Sequence, residues 1–202
     1  MDNYKTITLS HIPVMIMNTD NKARKETPSR KLDRKLLLSM SKDELVDLLF
    51  MQMRVLWTVD GLYYLGIEDK FGTEAATNID AKAWMVLGKL ECRRLRETTG
   101  LKGDDMDTFE RLLRLTSWAL DLEDKELERK GDVLVLRNTK CRVQGARLSK
   151  GLAEFGCKAV RSGYLEEFAK EFSPRFRMTC KVCPPDKHPQ DLWCEWEFKR
   201  EA

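Results

Sequence analysis

The segment from Cys180 to Phe198 constrains the fold of this 202-residue chain more than any other. It holds three of the six cysteines and one of the two histidines within fifteen residues. Apolar and polar residues alternate on both sides of a proline-rich centre, which predicts two strands joined by a stiff loop. The three prolines of that centre lack amide donors and cannot continue a strand ladder. The sequence therefore predicts a hairpin with strands at 175–183 and 191–199.

The thiols and the imidazole of this hairpin are ligand types that suit zinc, which binds four S or N atoms in a tetrahedron. The candidate metal ligands are Cys157, Cys183, His188 and Cys194, and zinc is the candidate cofactor. Strand alternation places Cys180 on the apolar face as a core thiol. No second pair of closely spaced ligands completes a finger-type site. Buried structural thiols, a reactive thiol and a metal-free ligand pocket therefore stay open as alternatives.

The same loop supports an enzymatic alternative, in which a cysteine thiolate lies beside His188 and Asp186 or Asp191 orients the ring. A Ser-His-Asp arrangement has little support, because the other histidine is His11, near the start of the chain. No glycine-rich phosphate-binding motif occurs, which argues against nucleotide-dependent chemistry. Whether the chain is an enzyme is left open.

Charge and hydropathy exclude two classes of partner. The net charge is +3, but residues 1–40 carry +4, so the rest of the chain carries −1. A body without a basic field argues against a nucleic-acid binder. No apolar run approaches the roughly 18–20 residues that span a bilayer, and the N-terminus lacks the basic start of a signal peptide. We expect a cytoplasmic protein with reduced or metal-bound cysteines.

The chain is predicted to divide into a leader and one domain. Residues 1–40 are polar and basic, which predicts a mobile leader. Residues 41–202 form the predicted domain. It opens with Ser41 and Glu44, which have capping-box spacing and predict a helix to about Lys70. Further amphipathic helices are expected to end near Thr98 and to begin near 105.

Four residues of the first two helices are candidate ligand-binding groups: Trp57, Asp60, Tyr64 and Trp84. Trp57, Asp60 and Tyr64 share one helix face, which places an acid between two aromatic rings. A structural packing role is the alternative for these residues. Gly61 in the middle of the helix is costly, so we expect it to permit close packing or the approach of a ligand.

After these helices, the spacing of apolar residues changes from a helical period to alternation. Alternation from Trp118 to Leu122 and from Val133 onward predicts a hairpin that turns at Gly131 and ends near Cys141. Short helices are expected at 146–155 and 164–172, before the cysteine-rich hairpin. The predicted fold is α+β: an N-terminal helical layer packed on a four-stranded antiparallel sheet made of two hairpins with intervening helices.

Several motifs carry a resemblance to known families: Trp57-x-x-Asp60-Gly61, Asp80-x-x-x-Trp84, the segment from Arg147 to Cys157, and the segment from Cys183 to Phe198. Together they resemble an uncharacterised family of small prokaryotic cytosolic proteins. The cysteines that flank the hairpin loop more distantly resemble those of 4-vinyl-reductase-like domains and of the L-2-amino-thiazoline-4-carboxylate hydrolase family. The 4-vinyl-reductase-like resemblance implies an α+β fold that binds small molecules, in some members with zinc.

The function predicted from the sequence is that of a small-molecule-binding or sensor domain with a cysteine-rich, zinc-binding hairpin. The alternative is a hydrolase that acts on a small cyclic amide or amidine through a metal-bound water or a cysteine. The expected partner is a small-molecule ligand, without nucleic acid and without a membrane span. A homodimer is left open.

Overall fold

The computed structural model describes residues 26–201. The elements of this part, in chain order, are α1 (Pro28–Leu38), α2 (Lys42–Phe71), α3 (Thr73–Thr99), α4 (Met106–Arg114), α5 (Ser117–Asp121), β1 (Asp124–Lys130), β2 (Val133–Lys140), α6 (Arg142–Leu148), α7 (Cys157–Phe172), β3 (Phe176–Val182) and β4 (Cys194–Arg200). The predicted α+β class is confirmed. Contacts divide the chain into two compact units, residues 1–47 and residues 48–202.

The first unit contains a helix within the predicted leader. The hydroxyl of Thr27 accepts a hydrogen bond from the amide of Arg30 at 3.2 Å, and Pro28 occupies the first turn. A hydroxyl cap followed by proline favours a helix start, so α1 begins well before Ser41. The leader was predicted to be mobile over residues 1–40, of which residues 1–25 lie outside the described residues.

The long helices begin and end as the sequence predicted. The amide of Ser41 donates to Glu44 Oε2 at 2.7 Å, and the amide of Glu44 donates to the Ser41 hydroxyl at 3.2 Å. This reciprocal capping box starts α2. Gly100 ends α3 with a φ of 69°, a conformation that glycine adopts without strain. Among residues 26–201, no helix combines the length and apolar character needed to cross a membrane.

The segment after α4 differs from the prediction. Trp118 and Leu120 lie in the short helix α5, whereas alternation predicted a strand. The hydroxyl of Thr116 accepts from the amide of Ala119 at 3.1 Å and so caps this helix. Three alternating residues fit a helical turn as well as a strand, and the cap decides between them. The strand that precedes Gly131 is therefore β1.

The sheet has the strand order β1-β2-β4-β3, and all its pairs are antiparallel. Trp196 of β4 lies opposite Leu136 of β2 and opposite Cys180 of β3. Cys194, Trp196 and Phe198 are buried, as the alternation of the second predicted strand required. The cysteine-rich hairpin therefore supplies one central and one edge strand.

The helices α3 and α7 make a close contact that positions the candidate site. A Cβ atom on Gly88 of α3 would lie 2.2 Å from the carbonyl oxygen of Tyr164 in α7, so only glycine permits this approach. At this point the backbone of α3 therefore lies directly against the backbone of α7. This contact brings Arg161 and Tyr164 of α7 against the ring of Trp84.

Candidate functional site

A buried arginine lies at the centre of the second unit. Arg161 of α7 is 4% exposed, and its guanidinium carbon lies 4.0 Å from the ring centroid of Trp84 and 4.7 Å from that of Trp57. The rings of Trp118 and Tyr164 lie at 6.0 and 5.9 Å. Aromatic faces stabilise a guanidinium in this position through cation–π attraction. Its Nη1 atom has no hydrogen-bond partner among residues 26–201.

Two carboxylates face this guanidinium from α2 and α3. The indole N–H of Trp84 donates to Asp60 Oδ1 at 3.2 Å and also interacts with Asp80. Burial raises the pKa of Asp60, and the positive charge of Arg161 partly offsets this effect. Burial, followed by the charge of Asp60, raises the pKa of Asp80 to about 6. One guanidinium therefore compensates two buried carboxylates only in part.

A cavity of about 140 Å³ opens beside these groups, between α2, α6 and α7. Its apolar lining consists of Trp57, Gly61, Tyr64, Leu65, Val143, Ala146, Leu152 and Phe155. Its charged lining consists of Asp60, Asp80, Arg142, Arg147, Lys150 and Arg161. A Cβ atom on Gly61 would meet no atom within 4 Å, so this glycine widens the cavity and does not serve close packing.

Two of the lining cations already have carboxylate partners. Arg147 forms a bidentate pair with Glu68 at 2.9 and 3.0 Å, and Arg142 Nη2 donates to Asp121 at 2.9 Å. No ion pair within the described part of the chain involves Lys150. Lys150 is thus a cation that a ligand would meet without displacing an ion-pair partner, whereas Arg161 already interacts with Asp60, Asp80 and Cys157.

A second cavity has a volume of about 260 Å³. It shares five lining residues with the first: Trp57, Arg142, Val143, Phe155 and Arg161. Its wall also includes three thiols, from Cys141, Cys157 and Cys194. Arg161 therefore contributes to the walls of both cavities.

The thiols form a connected cluster at the start of α7. Cys183 makes hydrogen-bonding contacts with Cys157 and Cys194. The contact with Cys183, followed by the charge of Arg161, lowers the pKa of Cys157, while the contacts with both neighbours raise the pKa of Cys183. Cys157 is the first residue of α7, and a helix N-terminus also stabilises a thiolate. The pKa of Cys157 is therefore lower than that of Cys183.

His188 of the hairpin loop contacts an acidic and an aromatic side chain. Its Nε2 lies 3.6 Å from a carboxylate oxygen of Glu154, and its ring packs on Trp193 at 4.7 Å. Asp186, a candidate to orient this ring, pairs with Lys158 at 2.8 Å. The contacts recorded for His188 within residues 26–201 include no cysteine.

The metal site stays a prediction. Three of its four predicted ligands, Cys157, Cys183 and Cys194, interact with one another, and the fourth, His188, contacts Glu154 and Trp193. In the described part of the chain, no group of three Cys, His, Asp or Glu side chains has the arrangement of a metal site. Cys180 packs against the hydrophobic core, as the sequence predicted, and is also close enough to Cys157 and Cys194 to interact with them electrostatically.

Three of the four predicted ligand-binding residues, Trp57, Asp60 and Tyr64, line the first cavity. Trp84 lies behind them, stacked on Trp57 at 4.8 Å. Sequence reasoning missed Asp80 and Arg161 as site residues. Asp80 and Trp84 are four residues apart on one helix, so their shared face was a usable signal. Arg161 had no such signal, because its carboxylate neighbours and the three tryptophan rings around it come from other helices.

Comparison with known proteins identifies one family. No curated protein and no solved structure matches the chain significantly. A sequence profile for a family of unknown function (DUF6125) matches residues 37–200, which includes every residue of both cavities. The chain therefore belongs to this family of unknown function.

Proposed function

We propose that this protein is a small-molecule-binding domain whose ligand occupies the first cavity, against Arg161. The observation that carries the proposal is a cavity whose wall includes the buried Arg161 together with the carboxylates of Asp60 and Asp80. Charged groups at an otherwise apolar wall offer a ligand strong and directional contacts.

The composition of the cavity supports the same proposal. Ligand sites are typically concave and mostly apolar, with a few convergent polar groups. Here aromatic and aliphatic side chains form most of the wall, and Asp60, Asp80 and Arg161 converge at one end. The raised pKa of Asp80 fits this interpretation, because perturbed groups concentrate at functional sites.

The proposal is tested with a set of small fragments that contains neutral, cationic, anionic and zwitterionic members. Binding is followed by ligand-observed NMR and by the fluorescence of Trp57 and Trp84. Gly61→Leu should fill the cavity and abolish binding, because a side chain at this position enters open space. Gly66→Leu is the matched control, since it lies on the same helix in open space and lines neither cavity.

The expected result is that wild type and Gly66→Leu bind fragments while Gly61→Leu does not. The two variants change helix propensity by the same amount, because both replace a helical glycine with leucine, so a difference in binding between them does not come from helix propensity. Binding that survives Gly61→Leu, or the lack of any fragment that binds wild type, would reject the proposal.

The thiol cluster supports a second candidate function, zinc binding. Three sulfurs in contact at the mouth of a hairpin match the ligand chemistry of a structural zinc site. Cys157, Cys183 and Cys194 would hold the ion, and His188 would have to leave Glu154 to join them. Elemental analysis of purified protein should then find one zinc per chain.

The variants for this second candidate are Cys183→Ser and Cys194→Ser, which should lose the metal and destabilise the fold. Cys92→Ala is the control for metal content, because this thiol lies on α3 and no other cysteine is among the groups that shift its pKa. Protein that is free of metal and fully stable would exclude the zinc site.

The hydrolase hypothesis uses the same groups, with Cys157 or a metal-bound water as nucleophile. Incubation with small cyclic amides and amidines, followed by mass spectrometry, tests it. Ring-opened products that Cys157→Ser abolishes would favour the hydrolase. Binding without turnover would favour a sensor. A cytoplasmic location and a homodimer stay predictions.

A further inference from the structure

We infer that the outer face of α2 is a self-association surface, on which two copies of this chain pair their α2 helices in parallel. The surface, which we call the α2 stripe, consists of residues between positions 48 and 63 and lies on the side of the helix away from the first cavity. The inference does not depend on the proposed ligand, because the cavity and the stripe occupy opposite faces of α2.

The helix α2 is apolar on two opposite faces. Trp57 and Tyr64, seven residues apart, are its buried residues and define the inner face. The indole N–H of Trp57 donates to the carbonyl oxygen of Ser117 at 3.2 Å, and the hydroxyl of Tyr64 shares a hydrogen bond with that of Thr77 at 2.9 Å. A helix that is apolar all round is normally buried all round. The outer face of α2 is instead exposed.

The outer face repeats with the spacing of a paired helix. Its central line has successive spacings of four, three, four and three residues: Leu48, Gln52, Val55, Val59 and Leu62. An average of about 3.5 residues keeps one line of side chains against a partner helix along its whole length. At 3.6 residues per turn, this line lies about half a turn from Trp57 and Tyr64.

The exposed apolar area of the α2 stripe matches what a dimer needs. Seven of its apolar side chains are 43–72% exposed: Leu49, Met51, Val55, Leu56, Val59, Leu62 and Tyr63. Together they expose on the order of 800 Å² of surface, which is about what one partner contributes to a standard interface. The largest apolar patch of a typical monomer is about 300–600 Å². A second copy of the same stripe supplies a surface of equal size and character.

The α2 stripe also lacks the charges that keep a helix face in water. Arg54 and Asp60 are the two charged residues between positions 48 and 63. Arg54 pairs with Glu123 at 2.9 Å, and Asp60 accepts from the indole of Trp84 at 3.2 Å, so both interact within their own unit. The cores of protein interfaces are depleted of charge in the same way. A helix that lies on a membrane would instead carry Lys and Arg beside its apolar face.

Gln52 indicates that the two helices are parallel. In a parallel pair each position of the central line faces its own copy, so the two Gln52 side chains meet. Each amide carries donors and an acceptor, so the two can bond to each other across the interface. In an antiparallel pair Gln52 would face an aliphatic side chain, and its buried amide would lose these bonds. A single polar residue in an apolar line is a known device for fixing register.

Sedimentation of the full-length protein tests the inference. Wild type should sediment at micromolar concentration with twice the mass of one chain. Val59→Glu places a charge at the centre of the stripe and should raise the dissociation constant of the dimer by about tenfold or more. Phe50→Glu is the matched control, because Val59 and Phe50 are 45% and 48% exposed, and Phe50 lies seven residues before Trp57 on the inner face.

A second variant, Leu62→Glu, should weaken the dimer as Val59→Glu does. Both residues are exposed in the single chain, so both variants should keep the helical circular dichroism of wild type. Wild type that stays monomeric at micromolar concentration would overturn the inference. A dimer that survives both variants, or one that only Phe50→Glu disrupts, would overturn it as well, because the interface would then lie outside the α2 stripe.

Cross-linking with a short bifunctional maleimide tests the orientation of the pair. Gln52→Cys and Val59→Cys should each give covalent dimers, because a parallel pair places each position beside its own copy. An antiparallel pair brings at most one of these positions to the twofold axis. Wild type under the same conditions controls for the native cysteines. Covalent dimers from one position alone, or from neither, would overturn the parallel arrangement.

Discussion

Replacing Gly88 with alanine tests the helix contact that places Arg161. The added Cβ atom would lie 2.2 Å from the carbonyl oxygen of Tyr164, 3.0 Å from its carbonyl carbon and 3.2 Å from its Cα. Non-bonded carbon atoms prefer separations of about 3.5–4.0 Å. All three neighbours are backbone atoms, so no side chain can rotate away and α7 itself must move by about an ångström.

Two opposing effects determine the magnitude. Alanine in place of glycine inside a helix gains up to about 1 kcal/mol from backbone entropy. Overpacking in a well-packed interior typically costs about 1–3 kcal/mol. A contact this short with rigid backbone lies at the upper end of that range. The expected net loss in the free energy of unfolding is therefore about 2 kcal/mol.

Urea denaturation measures this loss as a lower midpoint at an unchanged slope. Gly61→Ala and Gly66→Ala are matched controls, because a Cβ atom at either position would have no neighbour within 4 Å. Both should be as stable as wild type or up to about 1 kcal/mol more stable. If Gly88→Ala matched these controls, α3 and α7 would not approach as closely as the structure has them, and the placement of Arg161 would lose its basis.

Three further variants test individual contacts. Asp80→Asn should remove a pH dependence of the free energy of unfolding. The fold raises the pKa of Asp80 to about 6, so the protonated carboxyl stabilises the folded state fully below the unfolded value of 3.8, and this stabilisation is lost as the pH rises through 6. Wild type should therefore lose roughly 2–3 kcal/mol relative to the variant between about pH 4 and pH 7. Equal pH profiles in thermal unfolding would contradict this. Thr116→Ala should lower the free energy of unfolding by about 1–2 kcal/mol, because the hydroxyl caps α5 at 3.1 Å and its removal leaves the buried amide of Ala119 without this acceptor. A loss below about 0.5 kcal/mol in urea titrations would contradict the capping role. Glu68→Gln should cost about 2 kcal/mol, because it leaves the largely buried guanidinium of Arg147 without its charged partner. Glu74→Gln, whose carboxylate stands in the first turn of α3, is the surface control for that measurement.

The amino-acid sequence by itself determined the order and type of most elements. Capping at Ser41, the glycine after α3 and the alternation around Trp196 are local signals, and each depends on hydrogen bonds or burial within a few residues. The α+β class followed from them. The sequence also placed Trp57 and Asp60 on one helix face, and both line the first cavity.

The sequence predicted secondary structure less well where the same spacing of apolar residues fits both a helix and a strand. The three alternating residues around Trp118 form the helix α5, because the Thr116 cap favours it. The helix α1 was missed because the basic composition around it predicted a leader, although Thr27 and Pro28 carried a start signal.

Only the tertiary structure decided what surrounds the candidate site. Arg161 has its rings and carboxylates from α2, α3 and α5, and the close approach at Gly88 brings them together. The hairpin loop is directed by Lys158 of α7, which pairs with Asp186, while His188 lies at Glu154. These contacts join residues far apart in the chain, and their free energy depends on burial and distance, which no local pattern contains.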